Sequence, residues 1–242
     1  MSSVRLYRLA NSSVSNLTFD GTVYPTINSK QTYGTSSTTL DVDINYTADV
    51  AVDHIAILGL TQVTGLTFDL DFKDSGGSSI GTASISQTVE TYPRTTAHQI
   101  LSFTELSPRK IEIQVTGITG DMSIAGIFPF LQFMQPSHNF QNGADFDLAT
   151  KRNISQSETF SFARHSSKLR AFDLPFAFLD NADISQLHQL DALAGDYPIL
   201  VRTDPSSDLT DDWMVANWNI TTTTRGAFNS VSANFTEVRA WL

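Results

Sequence analysis

The stretch TTLDVDINYTADVAVDHIAILGL, residues 38–60, decides the fold. Its first part alternates strictly: Leu40, Val42 and Ile44 fall on one side of an extended chain, and Asp41, Asp43 and Asn45 on the other. A period of two with apolar and polar residues segregated is the pattern of a half-buried β-strand. After a short bend at 48–50 the chain turns apolar at nearly every position, in AVDHIAILGL (51–60). An extended run that is apolar on both sides belongs inside a sheet, covered on both faces. Asp53 and His54 stand side by side at its start. Adjacent residues of a regular strand point to opposite faces. Ile55 and Ile57 thus share the Asp53 side, while Val52, Ala56 and Leu58 share the His54 side. The expectation is a structural pair that does not form an acid–histidine dyad.

The same alternation spreads outward. Leu66, Phe68, Leu70 and Phe72 alternate with Thr67, Asp69 and Asp71, DSGGSS (74–79) turns the chain, and Ile80 and Ile85 lie on the return. That is a hairpin with a glycine-rich tip. RKIEIQVTG (109–117) places Ile111, Ile113 and Val115 on one face, and MSIAGIFPFLQF (122–133) closes the series. Short strands with no helical pattern between them favour an antiparallel sandwich over a parallel sheet. MQPSHNFQNGADFD (134–147) is polar and holds Pro136, Asn142 and Gly143, which marks a link. Beyond it, ETFSFARHSSKLRAFDLPFAFLD reads as two Phe-rich strands around a bend. NADISQLHQLDALAG supplies one helix near 182–194, with Asp180 or Asn181 as cap, Ile184, Leu187, Leu190 and Leu193 as its apolar stripe, and Gly195 as stop. YPILVRTDP, WMVANWNIT and NFTEVRAWL read as further strands. The fold class is mainly β: an N-terminal antiparallel β-sandwich over 1–133, and a second β-rich domain with one short helix over 134–242.

Composition bounds the chemistry. With 25 acidic against 15 basic residues the chain carries a net charge of -10, which disfavours phosphate-neutralising contacts, so no nucleic-acid partner is expected. There is no Cys, which excludes disulfides, thiolate metal sites and a cysteine nucleophile. The N-terminus MSSVRLYRLANSS lacks the apolar core of a signal peptide, and no apolar run reaches the roughly 20 residues that span a bilayer, so neither export nor membrane insertion is expected. Six N-x-S/T triplets, at Asn11, Asn16, Asn45, Asn153, Asn219 and Asn234, are what a Ser/Thr/Asn-rich chain produces by chance.

Motifs of catalysis fail on context. GSSIG (77–81) matches G-x-S-x-G, but a nucleophile elbow needs a helix after the serine, and TASISQTV continues as a strand. DVDIN (41–45) opens like a calcium loop, yet Tyr46 and Val52 stand where glycine and glutamate are required. His98, His138, His165 and His188 show no ligand spacing, with His188 at the helix surface. The acidic loop 204–212, with Asp204, Asp208, Asp211 and Asp212, reads as a solvated turn. No catalytic residue, cofactor or metal is expected. Tyr24, Tyr33, Tyr46 and Tyr92 lie in loop-like segments; Tyr24, Tyr33 and Tyr92 are candidate glycan-contact aromatics. Trp241, beside the chain end, and Trp213 are candidate interface residues, while Trp218 suits a core position as well.

Asp53, Ile55, Ala56, Ile57 and Gly59, followed by Arg109, Ile111, Ile113 and Gly126, resemble the galactose-binding-like jelly-roll module found in tail and other virion proteins of bacteriophages. LRAFDLPFAFLDNADISQLHQLDALAGDYPILVRTDP is similar to the β-domain of phage tail-tip proteins. The resemblance implies a non-enzymatic structural protein of a phage virion, made in the host cytoplasm and located in the tail. Its partners would be other copies of itself in a symmetric oligomer, and neighbouring virion proteins. The alternative is a carbohydrate-binding module that recognises a host-surface glycan.

Overall fold

A computed structural model describes residues 5–10, 14–24, 33–35, 37–88, 97–135, 147–149, 152–156, 161–165, 169–179, 181–194, 198–202, 213–225 and 228–237. The described residues are mainly β, with two large antiparallel sheets and one short helix. Strands are numbered in chain order. The six-stranded sheet runs β3 (Thr22–Tyr24), β2 (Val14–Phe19), β5 (Thr39–Tyr46), β10 (Lys110–Thr116), β7 (Thr67–Lys73) and β8 (Ser79–Ser86). The nine-stranded sheet runs β13 (Asp147–Ala149), β16 (Leu169–Leu179), β19 (Phe228–Glu237), β18 (Trp213–Arg225), β17 (Ile199–Arg202), β1 (Arg5–Leu9), β12 (Gly126–Met134), β6 (Val52–Leu60) and β9 (Ala97–Leu106). Two small ribbons pair β4 (Tyr33–Thr35) with β11 (Met122–Ile124) and β14 (Arg152–Gln156) with β15 (Ser161–His165).

The alternating segments form the strands their pattern requires. Val42 and Ile44 of β5, Phe68, Leu70 and Phe72 of β7, and Ile111, Ile113 and Val115 of β10 are all buried in one core with Ile55 and Ile57 of β6. Burying side chains of this size contributes about 1.5–3 kcal/mol each, before the cost of ordering the chain. β6 pairs with β12 on one side and β9 on the other, as a strand apolar on both faces should. Its pairing with β9 slips between Ile57 and Leu60, where Gly59 takes φ 67°, a left-handed conformation that favours glycine at a bulge. The tip between β7 and β8 is closed by Asp74, whose Oδ1 accepts from the amides of Gly76 at 2.8 Å and Ser78 at 2.9 Å.

β1 joins the two halves of the sequence. It pairs with β12 through Leu9↔Phe130 and with β17 through Tyr7↔Leu200, so one sheet runs through both halves. Tyr7 buries in the main core, and its neighbour Leu6 buries in a second one with Leu187 and Leu190 of the helix α1 (Asn181–Ala194). Consecutive residues of one strand thus serve cores on opposite faces of the sheet. The helix occupies the span its stripe and caps indicate, with His188 exposed. The polar stretch expected as a domain link lies, over 136–146, outside the described residues.

Candidate functional site

The six-stranded sheet turns its polar side chains outward, and strand register arranges them as rungs across β5, β10, β7 and β8. One rung is Asp41–Gln114–Asp69–Ser84. The next is Asp43–Glu112–Asp71–Thr82, and then Asn45–Lys110–Lys73–Ser79. On the other side of the first lies Thr39–Thr116–Thr67–Ser86. Neighbours along a rung are about 4.8 Å apart, and successive rungs are about 7 Å apart, because every second residue of a strand faces the same way. An open groove of about 770 Å³ lies over the two acidic rungs and Lys110. Among the described residues no aromatic side chain lines it.

The charges are not evenly distributed over this lattice. Lys110 Nζ reaches back to Glu112 Oε1 at 2.7 Å and Asp43 Oδ2 at 3.1 Å. Desolvation pulls its pKa down, but the bonds to Glu112 and Asp43 outweigh that and leave it raised. Lys73 pairs with Asp71, which also accepts from Ser79 Oγ at 2.6 Å. The hydrogen bond from Lys73, and then that from Ser79, hold the Asp71 carboxyl below its ordinary range. In the first rung Gln114 Nε2 donates to Asp41 Oδ1 at 3.0 Å. Asp69, beside it, makes no hydrogen bond or ion pair with the described residues. Among the described residues no group of three or more carboxylates or histidines is placed to hold a metal ion.

Asp53 and His54 do meet, contrary to the expectation from strand parity: His54 Nδ1 lies 2.7 Å from Asp53 Oδ1. The regular β6–β12 ladder ends at His54↔Phe130, and the pairing with β9 shifts between Val52 and His54. Released from regular pairing, the Asp53 carboxylate folds along the strand and accepts from the Gln132 amide at 3.2 and 3.1 Å. It takes the place of the next acceptor in the ladder. The His54 ring stands edge-on to Tyr7 at 4.5 Å and 5.1 Å from Trp213. Arg202 lies over Trp213 at 4.8 Å, a cation–π contact between β17 and β18. The pair is thus built into the junction of β6, β1 and β18. Burial, opposed chiefly by the nearby Arg5, raises the pKa of Tyr7.

Other residues singled out in the sequence fall as follows. Trp213 is half-buried on this aromatic junction; Trp218 is half-buried, 6.1 Å from the Phe235 ring. Trp241, Tyr92, His138 and the acidic loop 204–212 lie outside the described residues, as do the side chains of Tyr24 and Tyr33 on β3 and β4. Tyr46 corrects its loop assignment: it ends β5 in phase with Val42 and Ile44 and is buried, which pushes its pKa well up. Ser79 opens β8, and no helix follows it. The groove residues were visible in the sequence as outward positions. Their assembly was not, because β10 inserts between β5 and β7 from far along the chain.

No family model matches the chain, and no curated protein matches it significantly. Solved structures do. A fucose binding module of Streptococcus pneumoniae is 13% identical, with a TM-score of 0.36, over 51% of this chain and 94% of its own. A CBM32 domain in complex with 4,5-unsaturated mannuronic acid is 12% identical, with a TM-score of 0.35, over 50% of this chain and 97% of its own. A pectin binding carbohydrate binding module is 16% identical, with a TM-score of 0.38, over 49% of this chain and 91% of its own. These are likenesses of fold. The expectation of a phage virion protein is corrected to this extent: the three structures named here are carbohydrate-binding modules, and none of them is described as a phage protein.

Proposed function

We propose that this chain is a non-catalytic carbohydrate-binding module that holds a cell-surface glycan on the outer face of its six-stranded sheet, within residues 1–133. The observation that carries the reading is the groove of about 770 Å³ over the rungs Asp41–Gln114–Asp69–Ser84 and Asp43–Glu112–Asp71–Thr82. A glycan offers many hydroxyl groups, each both donor and acceptor. Carboxylates accept from them, and amide and ammonium groups donate to them. The groove sets such groups at fixed intervals on paired strands, so little conformational freedom is lost when a ligand binds. Its volume is in the range of ligand-binding clefts, about 300–1,000 Å³. The described lining residues are mostly polar, so selectivity rests on polar contacts.

The test is retention on an array of immobilised glycans, for the protein and for a variant combining Asp41→Ala, Asp69→Ala and Glu112→Ala. The reading expects one class of glycan to retain the protein and the folded variant to be lost from it. Retention by no glycan, or equal retention of protein and variant, contradicts it.

A further inference from the structure

We infer, resting on the reading above, that the groove selects an amino-bearing saccharide, with the ligand's ammonium seated on the rung Asp41–Gln114–Asp69–Ser84. The lining holds five carboxylates against one lysine, and the charge of that lysine is already paired: Lys110 bonds Glu112 and Asp43. Lys73, at the same end of the sheet, is tied to Asp71. Both cations compensate the Asp43–Glu112–Asp71 rung and neither reaches the rung beyond it. There two carboxylates flank one amide. One N–H of the Gln114 amide goes to Asp41, and the amide oxygen is an acceptor. Beside it stand the Asp69 carboxylate, without a partner among the described residues, and the Ser84 hydroxyl.

An ammonium carries three donors and no acceptor. It matches a place that offers a carboxylate without a partner among the described residues, an amide oxygen and a hydroxyl on adjacent strands. A neutral N-acetyl group in the same position loses the charge attraction. A uronic acid brings a carboxylate to a rung with two of its own and no cation on it among the described residues, so like charges meet.

The experiment is calorimetric titration of the whole chain with three saccharides of equal length: a glucosamine hexasaccharide, its N-acetylated form and a galacturonate hexasaccharide. Asp69→Asn probes the rung. Asp121→Asn removes the same charge from an exposed position off the groove. The inference expects the glucosamine oligomer to bind about tenfold tighter than the N-acetylated one. It expects the galacturonate to bind least, Asp69→Asn to lose roughly fivefold or more in glucosamine affinity, and Asp121→Asn to lose little. Equal or better binding of the N-acetylated or galacturonate oligomer overturns the inference and leaves the carbohydrate reading standing. Equal losses in Asp69→Asn and Asp121→Asn assign the preference to the net charge of the chain and also overturn it. If none of the three binds while other glycans on the array retain the protein, the inference alone fails; if nothing is retained there either, the proposed function fails with it.

Discussion

The two faces of the six-stranded sheet are made by the same strands and obey different physics. On the inner face Val42, Ile44, Leu70 and Ile113 are buried against the second sheet, and each is constrained by shape. On the outer face Asp43, Asp69 and Glu112 stand one residue away in sequence; Asp43 and Glu112 bond only to polar side chains of the same face, and Asp69 bonds to none of the described residues. The inner face fixes strand order and register; the outer face inherits that register as a lattice of side chains. The difference separates the residues that make the structure from those free to be used by it.

The largest effect should come from breaking the inner face. Ile113→Ala, at the centre of β10, should destabilise the protein by about 2–5 kcal/mol in a denaturant titration, because the surrounding strands cannot close the cavity. A loss no greater than that of an outer-face substitution would erase the distinction. Next is the backbone at the sheet's margin. Gly117 has φ 81°, and an added Cβ would stand 2.3 Å from the Gly65 carbonyl oxygen. Gly117→Ala should cost about 1–3 kcal/mol, read from the thermal midpoint.

Tyr46 sharpens the comparison by pH. Burial raises its folded pKa, so its contribution is fully present below the ordinary tyrosine range of about 10 and is lost as pH rises through the folded value. Lys110, also raised in the folded state, has the same sign, whereas the depressed Asp71 contributes above the ordinary carboxylate range and loses that contribution as pH falls through its folded value. Tyr46 Oη is buried without a hydrogen bond to the described residues. Tyr46→Phe should therefore leave neutral-pH stability within about 1 kcal/mol and make the alkaline decline shallower, measured by chemical denaturation from neutral to alkaline pH. An unchanged alkaline slope would place the titration elsewhere. The smallest effect belongs to the outer face: Asp69→Asn should shift stability by no more than about 0.5 kcal/mol, because its carboxylate makes no bond to the described residues. A larger destabilisation would mean that the face is structural after all.

Much of this division was legible in the sequence. The alternation of residues 40–45 and 66–72, the apolar run of β6, and the stripe and caps of α1 all rest on local periodicity, and local periodicity survives folding. Tyr46 was legible too: it continues the phase of Leu40, Val42 and Ile44, and only its loop-like surroundings hid it. The Asp53–His54 contact was not, because a slip in pairing is decided by the partner strand and leaves no mark on the period of β6. Nor was the groove. Each rung gathers residues from four strands whose spatial order differs from their order in the chain, so its charge pattern exists only once β10 lies between β5 and β7.

The central claim is that the outer face binds a glycan as a lattice of rungs, and amide shift mapping by NMR tests it most directly. The protein is titrated with a glycan that retains it. The account predicts shifts concentrated at the amides of Asp41, Asp43, Asp69, Asp71, Glu112 and Gln114, on three adjacent strands. Saturable shifts confined to the loops at the ends of the sandwich, with these amides unmoved, would contradict it.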